Sequence, residues 1–197
     1  IVTLILMVLT FVFPRARVVV VDMGVAQDFE PHPSLVVKKV AKGTANMTQG
    51  QAMTREQAEQ SILAGVEIVE AEIKRGLDIV GTGEMGIGNT TPSAAIAAAL
   101  TGESPAKIAG RGTGVDDEGL KRKVDAIERA LVVNQPNPKD GLDVLAKVGG
   151  FEIGGLAGVI LGAAAVAPAV AAQRTSAAGA PTAVAPAQGG PAAGAQG

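Results

Sequence analysis

The chain has 197 residues, a net charge of −2 and only 2% aromatic side chains, all of them phenylalanine. That balance offers neither a basic surface nor a stacking platform, so no nucleic-acid partner is expected. There is no cysteine and a single histidine. This excludes disulfides and thiolate sites and argues against a His-based triad or zinc centre, so no metal or cofactor is expected.

Ile1–Phe13 is apolar apart from Thr3 and Thr10. It is shorter than the ~20 residues of a membrane-spanning helix and lacks the basic start and cleavage point of a signal peptide. Residues 1–16 are read as an apolar segment, a buried helix or strand, with an out-of-frame start as the second reading. Arg17–Asp22 (RVVVVD) is β-branched and continuously apolar, which predicts a parallel-sheet strand buried on both faces. Asp22 falls at its carboxyl end, where open α/β sheets bind ligands; the alternative is a carboxylate that caps a neighbouring loop.

His32 lies between Pro31 and Pro33, which predicts a solvated loop histidine. After the short apolar run Leu35–Val37, Lys38, Lys39 and Lys42 read as a solvated face. Gly43–Gly50 is a polar loop. Thr54 with Gln57 forms a capping-box pattern that opens a helix. Ala58, Ile62, Val66, Val69 and Ile73 give that helix one apolar stripe, and Gly76 stops it as a C′ residue.

Leu77–Val80 (LDIV) predicts a short strand that feeds the stretch around which the chain is organised, Gly81–Pro92 (GTGEMGIGNTTP). Gly81, Gly83, Gly86 and Gly88 let backbone N–H groups approach a ligand. Asn89, Thr90 and Thr91 supply cap oxygens, and Pro92 suits a first helical position, predicting a helix over about Ser93–Leu100. Strand, glycine loop and helix N-terminus together make a phosphate or carboxylate site. Gly81–Gly86 also spells G-x-G-x-x-G, with Glu103 roughly 20 residues on, the pattern of a dinucleotide fold. The loop continues through Gly88 and Asn89, however, so the helix starts too late, and Glu84 would oppose a pyrophosphate.

A second glycine loop, Gly110–Gly114, precedes a helix capped by Asp116 or Asp117, with Leu120, Val124, Ile127 and Leu131 on one face. Lys121, Arg122 and Lys123 sit in its first turns, where cations oppose the helix dipole, which suggests a bound anion or an external carboxylate partner; the alternative is a solvated basic triplet. Gly141–Val148 is a short helix, Gly149–Gly155 a third glycine-rich turn, and Leu156–Val166 a buried small-residue helix. From about Ala167 the Ala/Pro/Gly-rich composition predicts a disordered tail. The expected division is therefore residues 1–16, an α/β nucleotide-binding core over 17–166, and a tail over 167–197.

Three long motifs stand in order: GTGEMGIGNTTPSAA, GRGTGVDDEGLKRK and LAKVGGFEIGGLAGVILGAA. With VVVVDMGV and KGTANMTQGQAMTREQA upstream, the chain resembles the nicotinate-nucleotide–dimethylbenzimidazole phosphoribosyltransferase family from about Arg17 to Ala165. The resemblance implies a Rossmann-like doubly wound parallel sheet, incomplete at the C-terminal end, in a cytoplasmic homodimeric glycosyltransferase. The implied reaction moves phosphoribose from nicotinate mononucleotide onto 5,6-dimethylbenzimidazole, giving α-ribazole 5′-phosphate and nicotinate for the cobalamin nucleotide loop. By similarity, Glu84, Gly86, Gly88, Asn89, Thr90 and Thr91 face the nucleotide, and Gly112 and Lys123 hold its phosphate. The family's general base is a glutamate on a segment that does not occur here, so no catalytic residue is assigned and the chain as written is expected to be inactive. Part of the benzimidazole pocket falls upstream of Ile1, which leaves base specificity open. Two other readings stand beside it: an NAD-dependent oxidoreductase, and a non-catalytic membrane-associated protein anchored by Ile1–Phe13.

Overall fold

The structure is a computed structural model that describes residues 17–178 except residue 113, with side chains to residue 167. Ile1–Phe13 therefore lies outside the described residues. The chain divides into two units, Ile1–Ala165 and Val166–Gly197. The described start of the second, residues 166–178, is helical. That helix passes Ala167, where the composition predicts a disordered tail; the alanines of this stretch carry the highest helix propensity.

The first unit is mixed α/β. Strand β1 (Val20–Asp22) pairs in parallel with β2 (Leu35–Val37), Val21 opposite Val36. β1 is shorter than the predicted Arg17–Asp22, and the sheet has two strands. Leu77–Val80 is not a strand: it joins no ladder among the described residues, and Ile79 is 86% exposed. Strand propensity alone does not make a strand, because the backbone groups need a neighbour. A doubly wound sheet is thus not seen among the described residues.

Helix α1 (Arg55–Ile73) opens on the expected capping box: Thr54 Oγ1 accepts from the Gln57 N–H at 3.1 Å, and Gln57 Oε1 accepts from the Thr54 N–H at 3.0 Å. Gly76 follows its end at φ 89°, as a C′ glycine requires. Helix α2 (Thr90–Thr101) starts earlier than Pro92, with Asn89 at the cap position. Proline is accommodated in the first turn because its missing N–H would have no intrahelical partner there.

The short helix α3 (Pro105–Ile108) leads to α4 (Asp117–Asn134), which Asp116 caps through the Gly119 N–H at 2.7 Å. Helix α5 (Gly141–Val148) is capped by Asp140, which accepts from Leu142 and Asp143, both at 3.1 Å.

Helix α5 joins two cores. Leu145 and Ala146 pack with Val21, Met23, Met53, Ala58 and Phe151. Val144 and Val148 pack with Ala94, Ala95, Ile127 and Ala130 of α2 and α4. Ile127 is fully buried, and such a side chain contributes ~1.5–3 kcal/mol.

Helix α6 (Phe151–Ala178) replaces the predicted third turn, because Gly154 and Gly155 are helical. Their lack of side chains serves packing. A Cβ at Gly154 would lie 1.8 Å from Ser61 Oγ, one at Gly158 1.9 Å from the Ile62 carbonyl oxygen, and one at Gly65 2.0 Å from the Gly155 carbonyl oxygen. The four-residue spacing of Gly154 and Gly158 makes a groove into which α1 settles backbone to backbone.

Candidate functional site

Three segments meet at the start of α2. The loop 81–89 delivers the chain to the helix, the loop 110–116 lies against its first turn, and Gly149–Glu152 approaches from the start of α6. Gly86 and Gly88 have φ of 71° and 74°, a backbone state that disfavours any side chain with a Cβ. The Glu84 carboxylate bends back and accepts from the Gly86 N–H. That N–H is therefore satisfied within the loop, and the acid is turned onto its own backbone.

Lys123 reaches across from α4. Its Nζ donates to Thr90 Oγ1 at 2.8 Å and to the Gly110 carbonyl at 2.9 Å. Among the described residues these are the two hydrogen bonds of an ammonium that has three donors. Desolvation holds the Lys123 amine below its usual value, so a bound anion would favour its charged form. A Cβ at Gly112 would lie 2.8 Å from Thr90 Oγ1, so the second glycine loop sits directly on the first helical turn. Thr90, Gly112 and Lys123 form one cluster, with half-buried Thr91 the next residue in the same turn. Of the other two basic residues, Lys121 is exposed and Arg122 approaches Glu118 at 3.6 Å.

Asn89 is 3% exposed and makes no side-chain cap bond. Its Nδ2 donates to Glu152 Oε1 at 2.7 Å, and its Oδ1 accepts from Ser93 Oγ at 2.9 Å. Burial pushes the Glu152 carboxyl above its usual range, opposed by a backbone hydrogen bond and the Asn89 amide, with the nearby Glu84 charge adding to the rise. A cavity of about 220 Å³ opens beside this pair, lined by Thr44, Gly88, Pro92, Gly150, Phe151 and Glu152 among others.

The expected residues thus fall in two places around one helix end: Thr90, Gly112 and Lys123 on one side, Gly88 and Asn89 on the other. Sequence reasoning misses Glu152 because FEIGG reads as a turn; the only signal is an acid flanked by glycines. A larger surface groove, lined by Lys38, Lys39, Glu56, Leu63 and Glu67, lies away from these loops.

Asp22 acts as a loop cap. Its Oδ1 accepts from Gly24 at 3.0 Å and Val25 at 2.9 Å. Its Oδ2 lies 2.7 Å from Lys39 Nζ, an ion pair without hydrogen-bond alignment. Lys39 is correspondingly not a solvated residue, its side chain being 15% exposed. His32 is an exposed loop residue whose Nδ1 accepts from the Ser34 N–H at 3.1 Å. Among the described residues, no acidic or histidine cluster could hold a metal, and no helix is long and apolar enough to cross a membrane.

A phosphoribosyltransferase family model matches residues 12–185, somewhat beyond the expected Arg17–Ala165. Nicotinate-nucleotide–dimethylbenzimidazole phosphoribosyltransferases of Chloroflexus aggregans and Dehalococcoides mccartyi are each 59% identical over 150 residues, 76% of this chain and 42% and 43% of theirs. The crystal structure of CobT from Thermus thermophilus superposes with a TM-score of 0.70 at 46% identity, covering 74% of this chain and 44% of that one. The chain thus spans less than half the length of the relatives it matches, and it belongs to the phosphoribosyltransferase family.

Proposed function

We infer that the chain carries the nucleotide-binding part of an enzyme that moves phosphoribose from nicotinate mononucleotide to 5,6-dimethylbenzimidazole. The observation that carries this reading is the cluster of Thr90, Gly112 and Lys123 at the start of α2, where the sequence resemblance places the nucleotide phosphate. A lysine ammonium, a helix N-terminus and glycine backbone converge there, the chemistry that a phosphate monoester requires. The relatives named for this reaction support the substrates.

Transfer at the anomeric carbon develops oxocarbenium character. The protein must therefore fix the 5′-phosphate so that ribose, leaving base and incoming base align. Gly86 and Gly88 leave room for the nucleotide to lie against the backbone, and Thr90 and Thr91 orient it at the helix end. Removal of the benzimidazole proton needs a general base, worth ~10²–10⁴-fold. The resemblance puts that base on a segment outside Arg17–Ala165. The 197-residue polypeptide is therefore expected to bind the nucleotide and to turn over little.

In the same reading the two-stranded parallel sheet is part of a Rossmann-like sheet, and the working enzyme is a cytoplasmic homodimer. Leu77–Val80 then becomes a strand once its neighbours are supplied, which accounts for the exposure of Ile79. Calorimetric titration with nicotinate mononucleotide tests the reading. Saturable binding that Lys123→Ala weakens is expected, and binding indifferent to that change would refute it.

A further inference from the structure

We propose that Glu152 is a positioning residue for the nucleotide site: its carboxyl group clamps the Asn89 side chain and so fixes the start of α2. The proposal rests on the nucleotide-binding reading above and adds to it a residue outside the two glycine loops.

Glu152 stands in the first turn of α6, where an acid ordinarily faces solvent and favours the helix dipole. Here it is 8% exposed and turns inward. Burial of a carboxyl group is unfavourable without a compensating partner. The compensating contact is the 2.7 Å hydrogen bond from Asn89 Nδ2.

Gly150 permits the inward turn. A Cβ there would lie 2.3 Å from Glu152 Oε1 and 2.7 Å from Oε2. Asn89, in turn, is committed to this contact and to Ser93 instead of capping its own helix. Gly88, which lines the cavity, precedes it, and Thr90, which receives Lys123, follows it. One side-chain contact between α6 and the end of the loop thus sets the placement of both halves of the site.

Three variants of the 197-residue chain test this. Glu152→Ala removes the acceptor. Glu152→Gln keeps an oxygen that can accept from Asn89. Gly150→Ala leaves Glu152 intact and displaces its flexible end, so the fold has a route to accommodate it. Two readouts are taken well below the melting temperature: amide hydrogen exchange over Gly86–Thr91, and titration with nicotinate mononucleotide.

Glu152→Ala and Gly150→Ala should speed exchange at Gly86–Thr91 about tenfold or more while α1 and α4 keep their protection. Each should weaken nucleotide binding by a similar factor, and Glu152→Gln should restore both to within about twofold. A general loss of stability would raise exchange everywhere and would not be rescued by glutamine. Unchanged local exchange in both Glu152→Ala and Gly150→Ala would overturn the proposal, as would failure of glutamine to rescue. If the parent chain bound no nicotinate mononucleotide, the functional reading would fall, and the exchange pattern alone would still decide whether Glu152 holds the loop.

Discussion

The α1–α6 seam and the loop before α2 are both rich in glycine, and they use it for opposite purposes. In the seam, Gly65 and Gly158 let two helices touch backbone to backbone and Gly154 admits the Ser61 side chain, and a single Cβ at any of them would overlap an atom about 2 Å away. In the loop, Gly86 and Gly88 hold positive φ, and Gly88 lines an open cavity. Disturbing the first should lower stability; under the proposed function, disturbing the second should lower nucleotide binding. Composition does not distinguish them; periodicity and conformation do.

The largest expected effect comes from filling the seam. Gly65→Val should destabilise the chain by about 3 kcal/mol or more, since backbone atoms of α6 cannot move aside as a side chain can. Urea denaturation followed by circular dichroism checks this, and a shift below about 1 kcal/mol would mean that the helices are not in such contact. Gly86→Val should do the reverse. Its positive φ costs ~1–2 kcal/mol for a residue with a Cβ, yet nicotinate mononucleotide binding should disappear from a chain that still melts cooperatively.

Lys123→Ala sharpens the loop side of the comparison. Charge-assisted hydrogen bonds are worth ~1.5–3 kcal/mol, so phosphate-dependent affinity should fall about tenfold or more with little change in melting temperature. Thr54→Ala removes the cap of α1 at the other region and should cost ~1 kcal/mol without touching affinity.

The acid between the two regions gives a final, pH-dependent difference. Glu152 faces Asn89 and Glu84, and its carboxyl group titrates above the ordinary value of 4.5. The folded state therefore holds the proton more tightly than the unfolded one. Its stabilising contribution is complete below the unfolded value and declines as pH rises through the folded value. Glu152→Gln should accordingly flatten the fall in stability from about pH 4 upward, measured as melting temperature against pH.

Much of the helical framework is legible in the sequence because its signals are local. Thr54 with Gln57, Asp116 and Gly76 act through neighbours within a few residues, and each is found in its expected role. Thr90, Gly112 and Lys123, which the family resemblance singles out, lie together at the start of α2. What depends on distant partners is not legible. Leu77–Val80 has strand composition but no ladder among the described residues. Gly154 reads as a turn residue because nothing nearby reveals that Ser61 presses against it. Lys39 reads as solvated because its partner, Asp22, is brought to it only by the parallel pairing of β1 and β2. Glu152 escapes for the same reason, its contact to Asn89 spanning 63 positions.

The most direct test of the account is a competition between two nucleotides at one site. The purified chain is titrated with nicotinate mononucleotide and with NAD under identical conditions, with Lys123→Ala and Gly86→Val alongside. The G-x-G-x-x-G spelling of Gly81–Gly86 predicts NAD, and the cluster of Thr90, Gly112 and Lys123 predicts the mononucleotide. We expect nicotinate mononucleotide to bind at least tenfold more tightly than NAD, with both variants impaired. Tighter binding of NAD would contradict the account.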